Sequence, residues 1–497
     1  MKKIFSALCV ALVGLFGFGL KANAASATYI DLNNISLKEY SSLESFLTDY
    51  DSGSLPNAYV TNFLYDGVAA VKTPDLDDFI EAGSNDTKVK TLEIKVINIV
   101  AAGTYQLSGE ITGAMIAVNT NNVNGNIDIV LNNASIDTDS KKAPAVYVYN
   151  KDKNYTGCKV TIKTLAGTKN YLEGGKLKKV SLLGSDELSK YSSYYSGDAQ
   201  TNYNTYSNYY GIYTSEQIEK ILFATVKADN EDLQDGDPLY FYKASGAVSS
   251  DIDLYFEGEG FLSITSKNKE GIETKGNLTF DGGTGDYEVY AQDDCLNTTT
   301  ANSSAETVRN DITINVASLL AKVSDEADEG DAIDSNGKLT INGGKIWAYA
   351  HPTSGDAGLD SVNGTYINNG TVIATGNMAD AIANESKQKY IYASLNTQVK
   401  AGAKITIKDQ DDNTIVEFET DRSIKTVLYS SADLDYESYK VYVDGTEVSY
   451  NEVAGQKMLS NSKQKTDISS TLFVALMIEI AALIIAIGIA IMLKRSK

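Results

Sequence analysis

Apolar and polar residues alternate along this chain in short runs that end at turn residues. Leu278-Thr279-Phe280, Ile312-Thr313-Ile314, Leu339-Thr340-Ile341 and Val372-Ile373-Ala374 are examples. Glycine outnumbers proline by 39 to 5, and Asn-Gly and Gly-Gly pairs separate the runs. Short period-two segments with regular turn signals predict an all-β protein. Between 270 and 383 the pattern repeats: Glu270-Gly-Ile-Glu273 precedes Gly276-Asn-Leu-Thr-Phe-Asp-Gly-Gly283, and Asp331-Ala-Ile-Asp334 precedes Gly337-Lys-Leu-Thr-Ile-Asn-Gly-Gly344. Gly358-Leu-Asp360 precedes Gly364-Thr-Tyr-Ile-Asn-Asn-Gly370, while Asp294-Cys-Leu-Asn297 and Asp380-Ala-Ile-Ala383 are weaker copies. The apolar centres Ile272, Leu296, Ile333, Leu359 and Ile382 are spaced by 24, 37, 26 and 23 residues. A repeat of this length predicts a solenoid, in which each coil buries its apolar face against the next.

The pattern changes at both ends. Lys2 and Lys3, an apolar run from Ile4 to Leu20 and Ala22-Asn23-Ala24 read as a signal peptide over 1–24. Leu37, Tyr40, Leu43, Leu47 and Tyr50 at helical spacing predict a helix over 36–50 within an N-terminal cap region, 25–88. The solenoid is expected over 89–398 and a small antiparallel β cap over 399–450. A polar linker over 451–470 leads to an apolar stretch at 471–493, long enough to span a bilayer. The basic tail 494–497 then places the ectodomain outside a single-pass cell-membrane anchor.

Composition narrows the chemistry. Only Cys158 and Cys295 lie beyond the signal, too few for a disulfide scaffold in an exported chain. The formal net charge of −22 excludes nucleic acid as a partner. In stacked strands, equivalent residues lie about 4.8 Å apart. The acids beside each apolar centre would therefore form a ladder of Glu270, Glu273, Asp294, Asp331, Asp334, Asp356, Asp360 and Asp380. Carboxylates so close repel unless a cation or a proton intervenes, and calcium, with 6–8 oxygen ligands, suits them. Eight tyrosines crowd 191–213, among them Tyr194, Tyr195, Tyr209 and Tyr210. With Trp347 and Tyr349 they are candidates for stacking on sugar rings. His351, the single histidine, reads as a turn residue on the surface.

The runs Gly103-Thr-Tyr-Gln-Leu-Ser-Gly109, Ile129-Val-Leu-Asn-Asn-Ala134 and Pro144-Ala-Val-Tyr-Val148, the repeats above and the closing Tyr-Val-Asp-Gly445 resemble the carbohydrate-binding domain proteins of cellulolytic and gut bacteria. The resemblance covers about 90–445. It implies a right-handed parallel β-helix of pectate-lyase-like topology at the cell surface, with bound calcium, that binds plant-type glycans such as cellulose and acidic sugars. The chain departs from the pattern in its Tyr-rich insertion and at Asn297 and Ala383, where an acid of the pair is missing.

The expected function is accordingly membrane-anchored, calcium-dependent polysaccharide binding without catalysis. Two alternatives stand beside it. A polysaccharide lyase would need a basic group beside calcium to abstract a proton α to a uronate carboxyl. Arg309 is the candidate, with Lys275 or Lys338 as substitutes. A surface adhesin or stalk for a protein partner is the third reading.

Overall fold

The computed structural model describes residues 27–62, 64–65, 70–71, 80–81, 94–139, 143–150, 155–175, 177–182, 239–244, 246–299, 310–434, 438–453 and 460–461. The expected signal peptide and the stretch 471–493 lie outside these residues. Among the described residues no helix is long and apolar enough to cross a membrane.

Two large sheets dominate, one of 16 strands and one of 10. In the smaller sheet Ile97, Ile116, Val146, Val248, Ile272, Leu296 and Ile333 stand in one register column, all buried. They meet Ile127, Ile129, Leu254, Leu278 and Ile312 of the larger sheet in one continuous core. The next inward column turns polar, at Ser250, Thr274, Thr298 and Ser335. These hydroxyls donate to turn carbonyls at 2.6–2.9 Å: Ser250 to Ile252, Thr274 to Gly276, and both Thr298 and Ser335 to Asn310. A buried hydroxyl without such a partner would be costly, which explains the recurrence of serine and threonine there.

The right-handed β-helix solenoid expected from the repeat is overturned by the connectivity of the larger sheet. Leu278–Phe280 pairs with Ile312–Val323 as well as with Leu254–Gly258. From there the path runs through Cys158–Thr164, Gly125–Asp137, Lys169–Gly174, Phe261–Ser266 and Asp286–Ala291, and returns to Ile312–Val323. The result is a closed barrel of eight parallel strands. Closure depends on the two long strands, Gly125–Asp137 and Ile312–Val323, each of which serves different neighbours along its two halves. Their ladders shift register at the bend, between Leu131 and Ala134 and between Ile314 and Ser318. A repeat length reports which strands are neighbours, and it is silent on how a bent strand shares itself between two halves of a sheet.

Glycine marks the same bend in the next strand. Gly344 has φ +107, and a Cβ there would lie 2.6 Å from the Val316 carbonyl. Gly370 repeats the arrangement against the Gly344 carbonyl. The Asn-Gly-Gly signal thus reports backbone packed on backbone at the bend.

At the N-terminus the helix spans Leu43–Asp51, later than the 36–50 read from spacing. Lys38–Glu39 is a strand paired with Tyr59 and Val60. Ser42 caps the helix by accepting the Ser45 N–H at 3.3 Å, so helical geometry starts after it. Cys158 and Cys295 are buried and unpaired.

In the larger sheet parallel pairing ends where Ile424–Ser430 runs antiparallel against Thr371–Gly376 and Tyr390–Val399. A further sheet, antiparallel through Lys404–Asp409, Thr414–Glu419 and Ser438–Val443, has its own core around Ile405, Ile407, Tyr439 and Val441. Arg422, 2% exposed, ties this region to the barrel. Its Nη1 donates to the Val323 and Ala350 carbonyls at 2.9 Å each, and its Nε donates to Asp421 at 3.1 Å. Asp325 Oδ1 lies 3.2 Å from Nη2 without a well-directed hydrogen bond. Arg422→Met keeps the apolar stem and removes every donor, so it should cost about 1–3 kcal/mol for each carbonyl left bare. The urea midpoint measures this, and an unchanged midpoint would show that the clamp contributes nothing.

Candidate functional site

The acidic ladder lies on the smaller sheet. Glu273, Asn297, Asp334 and Asp360 occupy successive positions of one column, between the two inward columns. Four of the remaining acids are committed to the backbone. Asp294 Oδ1 accepts the Asp331 N–H at 2.8 Å, and Asp331 Oδ1 accepts the Ala357 N–H at 2.6 Å. Asp356 Oδ2 accepts the Gly330 N–H at 2.7 Å, and Asp380 Oδ1 accepts the Ala381 N–H at 2.8 Å. The same device operates on the larger sheet, where Asp253 accepts from Asn277, Asn277 from Asp311, and Asp311 from Lys338, at 2.7–3.0 Å. Much of the acidic repeat is therefore backbone satisfaction: apart from Asp380, which takes the N–H of the next residue, each side-chain oxygen receives an N–H at or near the start of a neighbouring strand.

Burial then sets the charge state. It pushes the Asp294 carboxyl up to about 9, only partly offset by the Asp331 N–H. Burial, reinforced by the charges of Asp360 and Asp356, raises Asp331 to about 8. Asp334 is raised to about 6 by burial and then by Asp360. Glu270 is also pushed up, by burial first and the neighbouring Glu273 second, and Asp380 by burial. Lys275 forms an ion pair with Glu273 and donates to Thr299 Oγ1 at 2.7 Å.

Two oxygens remain without a hydrogen-bond partner, Glu270 Oε2 and Asn297 Oδ1, the latter on a side chain 7% exposed. Carboxylate and amide oxygens are calcium-type donors. Among the described residues, however, no three of His, Cys, Asp and Glu gather where they could hold a metal ion. The ladder by itself does not fit a resident calcium ion.

The other predicted residues fall elsewhere. Tyr194, Tyr195, Tyr209, Tyr210 and Arg309 lie outside the described residues. Trp347 and Tyr349 stand on the larger sheet, half-buried and packed against the C-terminal core, and the Arg422 guanidinium sits 5.8 Å from the Tyr349 ring centre. His351 is 4% exposed, which corrects its reading as a surface residue. Its Nδ1 accepts the Ser354 N–H at 3.1 Å and lies 2.9 Å from Ser354 Oγ, which bonds Asp356 in turn.

Three aromatics that sequence reasoning passed over share an outward face of the larger sheet. Tyr171 pairs with Ser263, Phe261 with Asp286, and Thr265 with Tyr290, while Leu172, Leu262, Ile264 and Val289 point into the core. Tyr171 is 45% exposed and meets Phe261 edge-on, with ring centres 6.1 Å apart. Tyr290 donates to Glu288 at 3.1 Å, and Ser318 donates to Asp286 at 2.6 Å. The signal was present in the sequence: each aromatic takes the polar phase of a period-two run, as in Asp286-Tyr-Glu-Val-Tyr290.

A family model described as carbohydrate-binding domain-containing protein matches residues 93–197 and 207–426. The chain belongs to that family. Comparison with curated proteins and with solved structures finds no match. The matched residues of this carbohydrate-binding domain include both the ladder and the aromatic face.

The raised carboxyls make stability depend on pH. Their ordinary value is near 3.8, so the unfolded chain has released protons that the folded domain still holds. Their contribution is complete below about pH 4 and is lost as pH rises through about 6, 8 and 9 for Asp334, Asp331 and Asp294. In chelator, the melting temperature should fall steadily from about pH 5 to about pH 9. Asp294→Asn should flatten that slope, since an amide mimics the protonated acid and the Asn297 amide can turn over to meet it. An equal slope in the variant would show that Asp294 is not the group that titrates.

Proposed function

We propose that this chain binds polysaccharide without catalysis, laying the glycan along the face of Tyr171, Phe261 and Tyr290. The observation that carries this reading is an aromatic pair, Tyr171 exposed and Phe261 half-buried, on the outward face of a parallel sheet. Aromatic rings stack on the apolar faces of sugars, while Ser263, Glu288 and Thr265 offer acceptors and donors beside them. Membership of the carbohydrate-binding domain family supports it. A lyase would need a free base beside the acids, and Lys275 is engaged by Glu273 and Thr299. Tyr171→Ala should weaken retention on polysaccharide in affinity electrophoresis by about tenfold, with melting temperature unchanged. Wild-type retention would remove this face from the reading.

A finer part of the reading concerns acidic sugars. The unpartnered Glu270 and Asn297 oxygens supply two donors of the calcium type, and a uronate carboxylate together with water would bring the number toward the 6–8 that calcium takes. Calcium is then recruited together with the anionic glycan, which also offsets repulsion by a chain of net charge −22. Polygalacturonate retention should disappear in chelator and weaken in Asn297→Leu, whereas retention on a neutral glucan should survive both. Chelator-insensitive polygalacturonate binding would sink the calcium role. Display at the cell surface belongs to the same proposal and rests on the sequence of the two chain ends.

A further inference from the structure

The other half of the bent barrel strands presents a second outward face with a different composition. Tyr255, Thr279, Thr313, Thr340 and Tyr366 occupy one unbroken register column. Their neighbours Leu278, Phe280, Ile312, Ile314, Leu339, Ile341 and Ile367 are fully buried, so strict alternation turns the column outward. All five residues of the column are half-exposed. The three threonine hydroxyls have no hydrogen-bond partner among the described residues. Inside the repeat the hydroxyls at Thr274, Thr298 and Ser335 are used by turn carbonyls, whereas the three of this column face outward.

Geometry and charge limit what can lie there. From Tyr255 to Tyr366 is four strand spacings, or roughly 19 Å. At the two ends Lys159 sits 4.3 Å from the Tyr255 ring centre and Lys338 5.9 Å from that of Tyr366. Beside the column Asn368 Nδ2 donates to Asn342 Oδ1 at 2.9 Å, adding amides to the edge. No acid stands in the column between the tyrosines, while Glu257, Asp281 and Asp311 stand two residues along on the same face and Glu257 pairs with Lys159. Backbone N–H and C=O groups are consumed in the ladders on both sides, so a peptide strand cannot add by backbone pairing. What the column offers is a straight line of evenly spaced hydroxyls bounded by two aromatic faces.

We infer that this column is a second glycan-binding surface, which holds one extended neutral glycan chain running across the strands. Thr279, Thr313 and Thr340 exchange hydrogen bonds with successive sugar hydroxyls, and Tyr255 and Tyr366 stack at the ends. A rigid, periodic row suits an equally rigid polymer, because neither partner loses much conformational freedom on contact. The inference rests on the polysaccharide-binding reading and differs from it in place and in ligand form.

The test compares the full chain with a variant carrying Thr279→Val, Thr313→Val and Thr340→Val. Valine keeps shape and strand preference and removes only the hydroxyls. Partition onto microcrystalline cellulose, an insoluble neutral glucan, should fall by about tenfold, as expected when three modest hydrogen bonds are lost. Retention through the Tyr171 face in a soluble glucan gel should be unchanged in the same variant. Thr313→Glu, which places bulk and charge in the column without touching the core, provides a second probe should the triple variant fold poorly. It too should release cellulose. Wild-type partition in either folded variant overturns the inference and leaves the Tyr171 reading standing. If the unaltered chain holds neither cellulose nor soluble polysaccharide, both fall together.

Discussion

In-register parallel pairing is the constraint from which the rest of this structure follows. It sets each side chain directly above its partner in the next strand, so several columns repeat one chemistry at about 4.8 Å. Columns of isoleucine, leucine and valine gain by this arrangement and form the continuous core. Columns of hydroxyl residues are tolerated inside because each hydroxyl reaches a turn carbonyl. Columns of acids are tolerated only where the repulsion is removed. The structure removes it in three ways: by protonation through burial at Asp294 and Asp331, by a cation at Glu273, and by an amide in place of an acid at Asn297. The missing acid at Asn297, which counts against an ion site when read in sequence, is thus part of what keeps the column stable.

The same constraint explains what could be read from the sequence. The all-β class, the column of apolar centres from Ile272 through Ile333 and the glycine at Gly344 were legible, because each reflects a local demand that recurs with the strand. Barrel closure was not, because it depends on which half of Ile312–Val323 meets Leu278–Phe280, a long-range choice that leaves the repeat length unchanged. The helix start was missed for a local reason: Leu37 and Tyr40 fit helical spacing, but the Ser42 cap and the pairing of Lys38–Glu39 take priority. Trp347 and Tyr349 occupy the outward phase as expected of a platform, and the C-terminal region then packs over them. A residue's phase in a strand is visible in sequence, whereas what later covers that phase is not. His351 illustrates the same limit, since segments distant in sequence, at Gly330 and Asn377, hydrogen-bond its backbone.

Burial governs the charge of the ladder's aspartates. The formal charge of −22 counts every carboxylate as ionised, yet burial holds Asp294 and Asp331 protonated at neutral pH. The folded ladder is therefore less repulsive to an anionic sugar than composition implies. Rising pH withdraws the stabilising proton and restores the repulsion. The threonine column itself carries no carboxyl, so a neutral glycan lying there would not meet that change. One repeat, stacked on itself, can in this way present a pH-responsive acidic column and a hydroxyl column without carboxyls on a shared core.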